Sequence, residues 1–228
     1  MTNYKGFDDM KLSSIELKAL RQMIDETSTK VLNKYKLDND QNIINSDYLF
    51  LGDSMIEYFK LEKYLPSINA LNRGIAGATT KLILDNIDTI FGNHDPKYIY
   101  LSIGSNDLVL LEADVETAFL GIVQVLKNIQ AKYPSAMINY LSTTPVVDTS
   151  HKLYKKMYIG GRTNGELKSI NYKVMQYANE NNIKYIHVFD ALLDENGFLN
   201  EQFTADGIHL NQKGYEIYRE YILKSTKT

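Results

Sequence analysis

Short hydrophobic segments alternate along most of the chain with longer segments in which apolar residues recur at helical spacing. Short runs that end at Gly, Pro or polar residues are typical of buried strands. Five strands are predicted on this basis, at residues 48–51, 70–72, 98–103, 137–141 and 183–189. Strands that alternate with helices are typical of a parallel sheet covered on both faces. We therefore predict an α/β fold, a three-layer α/β/α sandwich with a five-stranded parallel sheet in the order 2-1-3-4-5.

The segments between the strands are predicted to be helices or loops. Helices are expected over 55–63, from the turn at 74–80 to about residue 90, and over 115–132, 165–181 and 215–223. Residues 146–163 are expected to form a long, polar, tyrosine-containing loop.

A further helix is predicted before the first strand, over residues 13–36. Ser13 is placed to cap it, with Glu16 three residues later, and the polar segment 38–45 is predicted to be a connector. We expect this helix to cover one side of the core. The chain is therefore treated as one structural domain, with residues 1–46 as a helical extension packed on residues 47–228.

The composition limits the class of protein and its partners. The chain has 228 residues, of which 44% are hydrophobic and 23% charged, as in an ordinary soluble protein with one large domain. The net charge of -3 gives no reason to expect nucleic acid or an anionic membrane as a partner. The absence of Cys excludes disulfides and thiolate sites. No apolar run suits a secretory signal or a membrane span, so a cytoplasmic location is expected.

Polar motifs follow several of the predicted strands. Gly52-Asp53-Ser54 follows the first strand, 74–77 the second and 104–107 the third, while 206–209 lies after the fifth. The carboxyl ends of parallel strands meet at one edge of the sheet, so these motifs are expected to lie close together. Strands one and three flank the switch point of the predicted order, which is where ligands bind in such sheets.

These motifs contain the groups that acyl transfer needs. Ser54 is a candidate nucleophile, but a hydroxyl needs a neighbouring base at neutral pH. His209 can supply that base, and Asp206 can hold the imidazole in the correct tautomer. The amides of Ser54 and Gly77 and the side chain of Asn106 can form an oxyanion hole for the charge that attack places on the carbonyl oxygen.

Together the four motifs resemble the conserved blocks of the SGNH (GDSL-type) hydrolases. The blocks are Gly52-Asp53-Ser54, Asn72 to Gly77, Gly104 to Asp107 and Asp206 to His209, and the resemblance spans residues 47 to about 222. It implies a flavodoxin-like sandwich that hydrolyses esters without a cofactor. The resemblance also implies that Ser54, Gly77, Asn106 and His209 are the family's four functional residues, with Asp206 completing the triad.

The sequence departs from the family pattern at two positions. Met55 stands in place of the Leu of the family motif, which is a mild apolar exchange, and Ala78 stands where many relatives carry Asp. The second change affects the hydrogen bonds expected of the oxyanion loop. The block around Asn72 resembles the branch related to platelet-activating-factor acetylhydrolase, which implies short acyl groups.

The loops around the predicted site favour a small substrate. The turns near Ser54 are built from small residues, and no extended apolar channel is evident. The predicted loop contains Asp148, His151, Lys152, Tyr154, Lys155, Lys156, Tyr158 and Arg162. That mixture suits a polar leaving group, although a solvated surface loop has the same composition. We therefore predict a serine esterase for acetyl-like esters, with an O-acetylated sugar as one candidate substrate.

Some of these residues are also common in purely structural roles. Asp53 is expected to orient its turn or cap the next helix, and Asp107 to cap a helix or brace a loop. Asn106 and the Asp206-Gly207 pair also occur in ordinary turns. The remaining histidines show no metal-ligand spacing, so neither a metal nor a cofactor is expected. These histidines are His94, His151 and His187.

Other functions are consistent with the same fold. A lysophospholipase or thioesterase would use the same catalytic residues. A nucleotide-binding module would use Gly74 to Thr80 as a phosphate cradle, but the chain has neither Gly-x-Gly-x-x-Gly nor a Walker Lys. A non-catalytic binding module is a further alternative, which the complete set of Ser, Asn, Asp and His makes less favoured.

Overall fold

A five-stranded, fully parallel sheet forms the centre of the computed structural model, which describes residues 10–41 and 46–226. Its strands are β1 (Tyr48–Gly52), β2 (Ala70–Gly74), β3 (Tyr98–Ser102), β4 (Met137–Leu141) and β5 (Lys184–Ile186). The spatial order is β2-β1-β3-β4-β5, which confirms the predicted order.

Helices connect the strands and cover both faces of the sheet. In chain order they are α1 (Ser14–Gln41), α2 (Ser54–Glu57), α3 (Leu61–Tyr64), α4 (Thr80–Asp85), α5 (Ile87–Phe91), α6 (Asp107–Leu110), α7 (Val115–Lys132), α8 (Lys156–Ile159), α9 (Asn164–Glu180) and α10 (Gln212–Thr226). Two 3-10 helices, Phe189–Leu192 and Glu201–Phe203, lie between β5 and α10.

The sheet separates two hydrophobic cores because successive residues of a strand point to opposite faces. Leu49 and Leu51 of β1 lie in the first core, with apolar side chains of α1, α4, α5, α7 and α9. Phe50 lies in the second core, with side chains of α2, α3 and α10. There it stacks on Tyr100 of β3, with ring centroids 4.7 Å apart. The alternation therefore produces the predicted layers of helices on both sides of the sheet.

Helix α1 begins as predicted but is longer than the prediction. The Ser13 amide donates to the Glu16 carboxylate (2.7 Å), and the Glu16 amide donates to Ser13 Oγ (3.3 Å), which is the expected capping box. The helix continues to Gln41, so the connector predicted over 38–45 is wrong for its first residues. Residues 42–45 lie outside the described residues.

Tertiary contacts hold the polar end of α1 in place. Asn39 donates to the Thr89 carbonyl of α5 (2.7 Å) and accepts from the Arg73 guanidinium (2.7 Å). Arg73 also lies over the ring of Tyr35, 4.4 Å from its centroid. The Tyr35 hydroxyl donates to the Gly74 carbonyl (2.6 Å). These contacts attach α1 to the end of β2, next to the edge where the motifs collect.

Two predicted helices are each split in the structure. The helix predicted over 55–63 is interrupted between α2 and α3, where the Asn72 amide donates to the carbonyls of Ile56 (2.6 Å) and Phe59 (3.0 Å). A side chain that donates hydrogen bonds to these carbonyls satisfies them at the helix end, so the first helix stops here. The helix predicted to reach about residue 90 is interrupted at Asn86, between α4 and α5.

Strand β5 is shorter than predicted, because it ends at Ile186. Beyond it, the amides of Val188 and Phe189 donate to the hydroxyl of Ser142 at 3.0 and 3.1 Å, and the chain turns into a 3-10 helix. A side-chain acceptor thus replaces the sheet partner that these amides would otherwise need. The loop predicted over 146–163 also differs, since it contains helix α8.

Candidate active site

A cavity of about 470 Å³ opens at the carboxyl edge of the sheet. All five residues predicted for the site line it: Ser54, Gly77, Asn106, Asp206 and His209. They follow four different strands, so the parallel topology alone brings them together. The cavity lies at the switch point between β1 and β3, as the strand order predicted.

A tight turn after β1 presents Ser54. Gly52 has a φ of +151°, and a Cβ there would lie 2.0 Å from the Ser102 carbonyl oxygen of β3, so a side chain cannot be accommodated. Asp53 caps α2 by accepting from the Met55 amide at 2.9 Å, which confirms the predicted capping role. Ser54 is therefore the first residue of α2, at a position that strand and cap both fix.

His209 and Asp206 form a hydrogen-bonded pair. His209 Nδ1 lies 2.7 Å from Asp206 Oδ2, while Asp206 Oδ1 accepts from the amides of His209 (2.8 Å) and Ile208 (3.2 Å). Partial burial raises the pKa of Asp206, but these hydrogen bonds and the charge of His209 lower it by more, so it lies below its ordinary value. An ionised carboxylate only accepts, so Nδ1 of neutral His209 carries the hydrogen and Nε2 is an acceptor.

Two tyrosines flank the imidazole of His209. The ring centroids of Tyr58 and Tyr158 lie 5.3 and 5.8 Å from the imidazole centroid, both in edge-to-face geometry. Both rings line the cavity, and they are 44% and 42% exposed. The side of the cavity next to His209 is therefore aromatic and open to solvent.

The loop after β2, which carries the oxyanion candidate Gly77, is braced from two sides. The Ala76 amide donates to the Glu57 carboxylate of α2. Gly77 has a φ of +76°, and a Cβ there would lie 2.3 Å from Ile24 Cδ1 of α1. The Gly77 backbone therefore takes a left-handed conformation that other residues rarely adopt, directly against α1.

Asn106 follows β3 and makes no capping bond with its side chain. Its Nδ2 donates to the Ala78 carbonyl at 3.0 Å, and its Oδ1 accepts from Arg162 Nη1 at 3.3 Å. An amide nitrogen carries two hydrogens, and the Ala78 carbonyl accepts only one of them. The neighbouring Asp107 accepts from the amide of Thr80 (3.1 Å) and from its hydroxyl, which confirms the predicted loop brace.

Three buried charged groups lie at or beside the cavity. Burial raises the pKa of Asp53 to about 6, against the hydrogen bond from Met55 and the charge of Arg162. Burial also raises the pKa of Asp107 to about 6. The hydrogen bonds from Thr80 oppose this rise, and the charge of Asp53 adds to it. Burial lowers the pKa of Arg162 to about 10, so the guanidinium is charged at neutral pH.

The raised pKa of Asp53 makes its contribution to stability depend on pH. An unfolded aspartate titrates at about 4, so between pH 4 and 6 the folded state holds more protons than the unfolded state. The free energy of unfolding therefore falls as pH rises through this window. We expect Asp53→Asn, which keeps the capping oxygen, to remove the part of this decline that Asp53 contributes, on the order of 2–3 kcal/mol, while the part from Asp107 remains.

Urea unfolding of both proteins between pH 4 and 7 measures this difference. The variant should gain stability relative to the wild type as pH rises, whatever its absolute stability. Asp114→Asn is the matched control, because Asp114 also caps a helix (Thr117 amide, 2.8 Å) but is exposed and has a lowered pKa. A constant difference between Asp53→Asn and the wild type across the window would contradict the prediction.

Sequence reasoning missed one wall of the cavity and one buried cation. Leu20, Met23 and Ile24 of α1 line the cavity, so α1 contributes to the site as well as covering the core. Their spacing showed an apolar helix face but not what it packs against. Arg162 was counted among the charged residues of a polar loop, whereas it is only 7% exposed. No local signal distinguishes it from the other cations of that segment.

The segment 146–163 lines the cavity only in part, through Met157, Tyr158 and Arg162. Lys155 lies over the ring of Tyr158, with its Nζ 5.3 Å from the ring centroid, whereas the other charged side chains of the segment have partners elsewhere. This corrects the expectation of a polar loop around the site. Lys152 and His151 pair with Glu201 at 2.8 and 3.3 Å. The remaining partners are Ser150 for Asp148 and Glu16 for Lys156.

Residues 10–41 and 46–226 contain no group of three or more His, Cys, Asp or Glu side chains placed to hold a metal ion. No helix within the same ranges is both long and apolar enough to cross a membrane.

Known proteins resemble this chain in sequence and in fold. It is 27% identical over 214 residues to the N-acylneuraminate cytidylyltransferase of Escherichia coli O18:K1:H7, covering 86% of this chain but 46% of that protein. The chain thus spans about half the length of this curated relative. A Streptococcus pneumonia structure, described provisionally as a platelet activating factor, aligns with a TM-score of 0.84 and 27% identity over 94% of this chain and 99% of its own.

A GDSL-like lipase from Bacteroides thetaiotaomicron shares the fold, with a TM-score of 0.69 and 19% identity over 86% of this chain and 97% of its own. The model of the GDSL-like Lipase/Acylhydrolase family matches residues 50–217, which contain all five predicted site residues. The resemblance of the four motifs to SGNH hydrolases is thereby confirmed. The chain belongs to the GDSL-like lipase/acylhydrolase family of ester hydrolases.

Proposed function

We propose that the protein is a serine esterase that removes small, acetyl-like acyl groups, with O-acetylated carbohydrates as its substrate class. The observation that carries this proposal is the cavity itself. One small space is lined by the Ser54 turn, the Asp206–His209 pair and the oxyanion candidates Gly77 and Asn106. These are the nucleophile, base, orienting carboxylate and donors that acyl transfer requires.

In the proposed reaction, Ser54 Oγ attacks the ester carbonyl carbon while His209 Nε2 takes the hydroxyl proton. The bond to the leaving oxygen then breaks, and the leaving alkoxide receives that proton from His209. Water attacks the acyl-Ser54 ester with His209 again as general base, which releases the carboxylic acid and restores Ser54. Asp206 stabilises the imidazolium in both steps, for which its lowered pKa keeps it ionised.

Negative charge develops on the carbonyl oxygen during both attacks. We assign its stabilisation to the amides of Ser54 and Gly77 and to the second Nδ2 hydrogen of Asn106. The turns that hold these donors are fixed by Asp53, by Glu57 and by the Ala78 carbonyl. Donors that are held in place before the reaction cost no reorganisation when the charge appears.

The surroundings of His209 support a carbohydrate leaving group. The leaving oxygen receives its proton from His209, so the rest of the leaving group lies on that side of the cavity. Tyr58 and Tyr158 flank the imidazole there and are about two-fifths exposed. Tyrosine offers an apolar face and a polar hydroxyl, which match the C–H face and the hydroxyls of a sugar ring. The relative named for N-acylneuraminate, a sugar acid, supports the same class.

The apolar wall of the cavity favours one alternative. Leu20, Met23 and Ile24 of α1 line the same space together with Leu110 and Met157. A longer acyl chain on this wall would make the protein a lysophospholipase or thioesterase with the same catalytic residues. The two functions differ in how catalytic efficiency depends on acyl length.

We expect kcat/KM for p-nitrophenyl esters to be highest at acetate to butyrate and to fall steeply for longer chains. Each methylene buried in a true acyl tunnel contributes about 0.8 kcal/mol, so a tunnel would make efficiency rise with chain length. A panel from acetate to palmitate, together with O-acetylated N-acylneuraminate and a lysophospholipid, measures this. Release of acetate from the sugar would support the substrate class.

Ser54→Ala gives the background rate for each member of the panel. A maximum at dodecanoate or palmitate would refute the small-acyl proposal and favour the lysophospholipase alternative. Inactivity of the wild type on every ester, with no labelling by a serine-directed phosphonate, would refute hydrolysis itself.

A further inference from the structure

A buried arginine lies directly beside the proposed oxyanion hole. Arg162 lines the cavity but is only 7% exposed. No carboxylate of the described residues forms an ion pair with it, although the charges of Asp53, Asp107 and Glu166 act on it from a distance. Burying an arginine without a paired carboxylate is costly, so its position needs an explanation other than a salt bridge.

Arg162 donates its hydrogen bonds to acceptors of the chain itself. Its Nε donates to the Ile159 carbonyl (2.9 Å), and Nη2 donates to the Tyr158 carbonyl (3.2 Å). Its Nη1 donates to Ser105 Oγ (2.7 Å) and to Asn106 Oδ1 (3.3 Å). These acceptors use four of its five N–H groups. The guanidinium therefore has no free pair of N–H groups for a bidentate interaction with a substrate carboxylate.

These bonds determine which way the Asn106 amide faces. Oδ1 lies against the guanidinium, and one Nδ2 hydrogen is held by the Ala78 carbonyl at 3.0 Å. A flipped amide would place its NH₂ against the donors of Arg162 and its oxygen against the Ala78 carbonyl. Both contacts would then be repulsive, so the remaining Nδ2 hydrogen stays in the cavity. A cation at Oδ1 also polarises the amide and makes its N–H a stronger donor.

We propose that Arg162 is a positioning residue of the oxyanion hole, which acts through Asn106 by fixing and polarising its side-chain amide. This inference rests on the proposed function. It predicts that the effect of Arg162 on the reaction disappears when the Asn106 amide is absent. A residue that only supports the fold would affect the reaction equally with or without that amide.

A double-mutant cycle tests the coupling. Arg162→Met fills much of the same volume without donors, and Arg162→Lys keeps the charge without the planar fork. Each is combined with Asn106→Ala, and kcat is measured per active site titrated with a phosphonate. We expect either Arg162 variant to lower kcat by roughly 10-fold to 100-fold in the wild-type background with little change in KM. In the Asn106→Ala background the loss should be less than about threefold.

Arg219→Met is the matched control, because Arg219 donates to the Tyr64 carbonyl at 2.6 Å and does not line the cavity. Equal losses of kcat in both backgrounds would overturn the inference, as would a wild-type kcat in both Arg162 variants. If Arg162→Met does not fold, the cycle with Arg162→Lys decides the question. A wild type that neither hydrolyses esters nor reacts with the phosphonate would refute the proposed function and this inference with it. An active wild type with an additive cycle would refute this inference alone.

Discussion

Replacing Ser54 with alanine should abolish ester hydrolysis, with a loss in kcat of roughly 10⁴-fold to 10⁶-fold, while the fold remains intact. No other group at this position can form the acyl-enzyme, so the remaining rate comes from the oxyanion donors and substrate binding alone. The fold should survive because Asp53, and not Ser54, supplies the capping bond of α2. The proposed mechanism therefore needs the hydroxyl of Ser54 for chemistry, whereas the turn does not depend on it.

Steady-state hydrolysis of a short-chain ester measures the loss, and the melting temperature reports on the fold. A serine-directed phosphonate should label one residue of the wild type and none of the variant. Ser169→Ala is the control, since the Ser169 hydroxyl is exposed on α9 and donates only to the Gly165 carbonyl at 2.9 Å. Near-normal hydrolysis by Ser54→Ala would exclude the proposed mechanism.

Removing the side-chain amide of Asn106 should lower kcat by roughly 100-fold to 1000-fold with little change in KM. The reason is that its free Nδ2 hydrogen meets full negative charge only in the transition state. Asn106→Asp provides a second test, because it keeps the contact with Arg162 but replaces the donor with a carboxylate oxygen, which also loses the bond to the Ala78 carbonyl. Both variants should therefore lose turnover, and Asn106→Ala, which introduces no charge, should still fold and bind substrate.

A structural role for Asn106 predicts the opposite result. Loss of its bond to the Ala78 carbonyl would then lower the melting temperature and leave kcat per folded molecule unchanged. Asn181→Ala is a matched control for that possibility, because Asn181 also donates its side-chain amide to a backbone carbonyl (Tyr177, 2.7 Å) but does not line the cavity.

The sequence by itself determined the architecture and the location of the site. Runs such as Tyr98 to Ser102 form strands because β-branched and aromatic residues alternate between two buried faces, and this pattern is local. Once five strands alternate with helices, a parallel sheet follows, and its carboxyl edge collects every loop motif. The positions of Ser54, Gly77, Asn106 and His209 in one cavity therefore required no knowledge of tertiary contacts.

Only the tertiary structure decided what surrounds these residues. Ile24 packs against Gly77, and Arg162 donates a hydrogen bond to Asn106. The two residues of each pair are more than fifty positions apart in the sequence. Such contacts depend on how whole helices and loops pack, and no local pattern encodes them. The end of β5 also depends on such a contact, because the amides of Val188 and Phe189 donate to the Ser142 hydroxyl and not to a neighbouring strand. Local periodicity thus places the candidate catalytic groups, whereas long-range packing determines the shape and the charge of the cavity that they share.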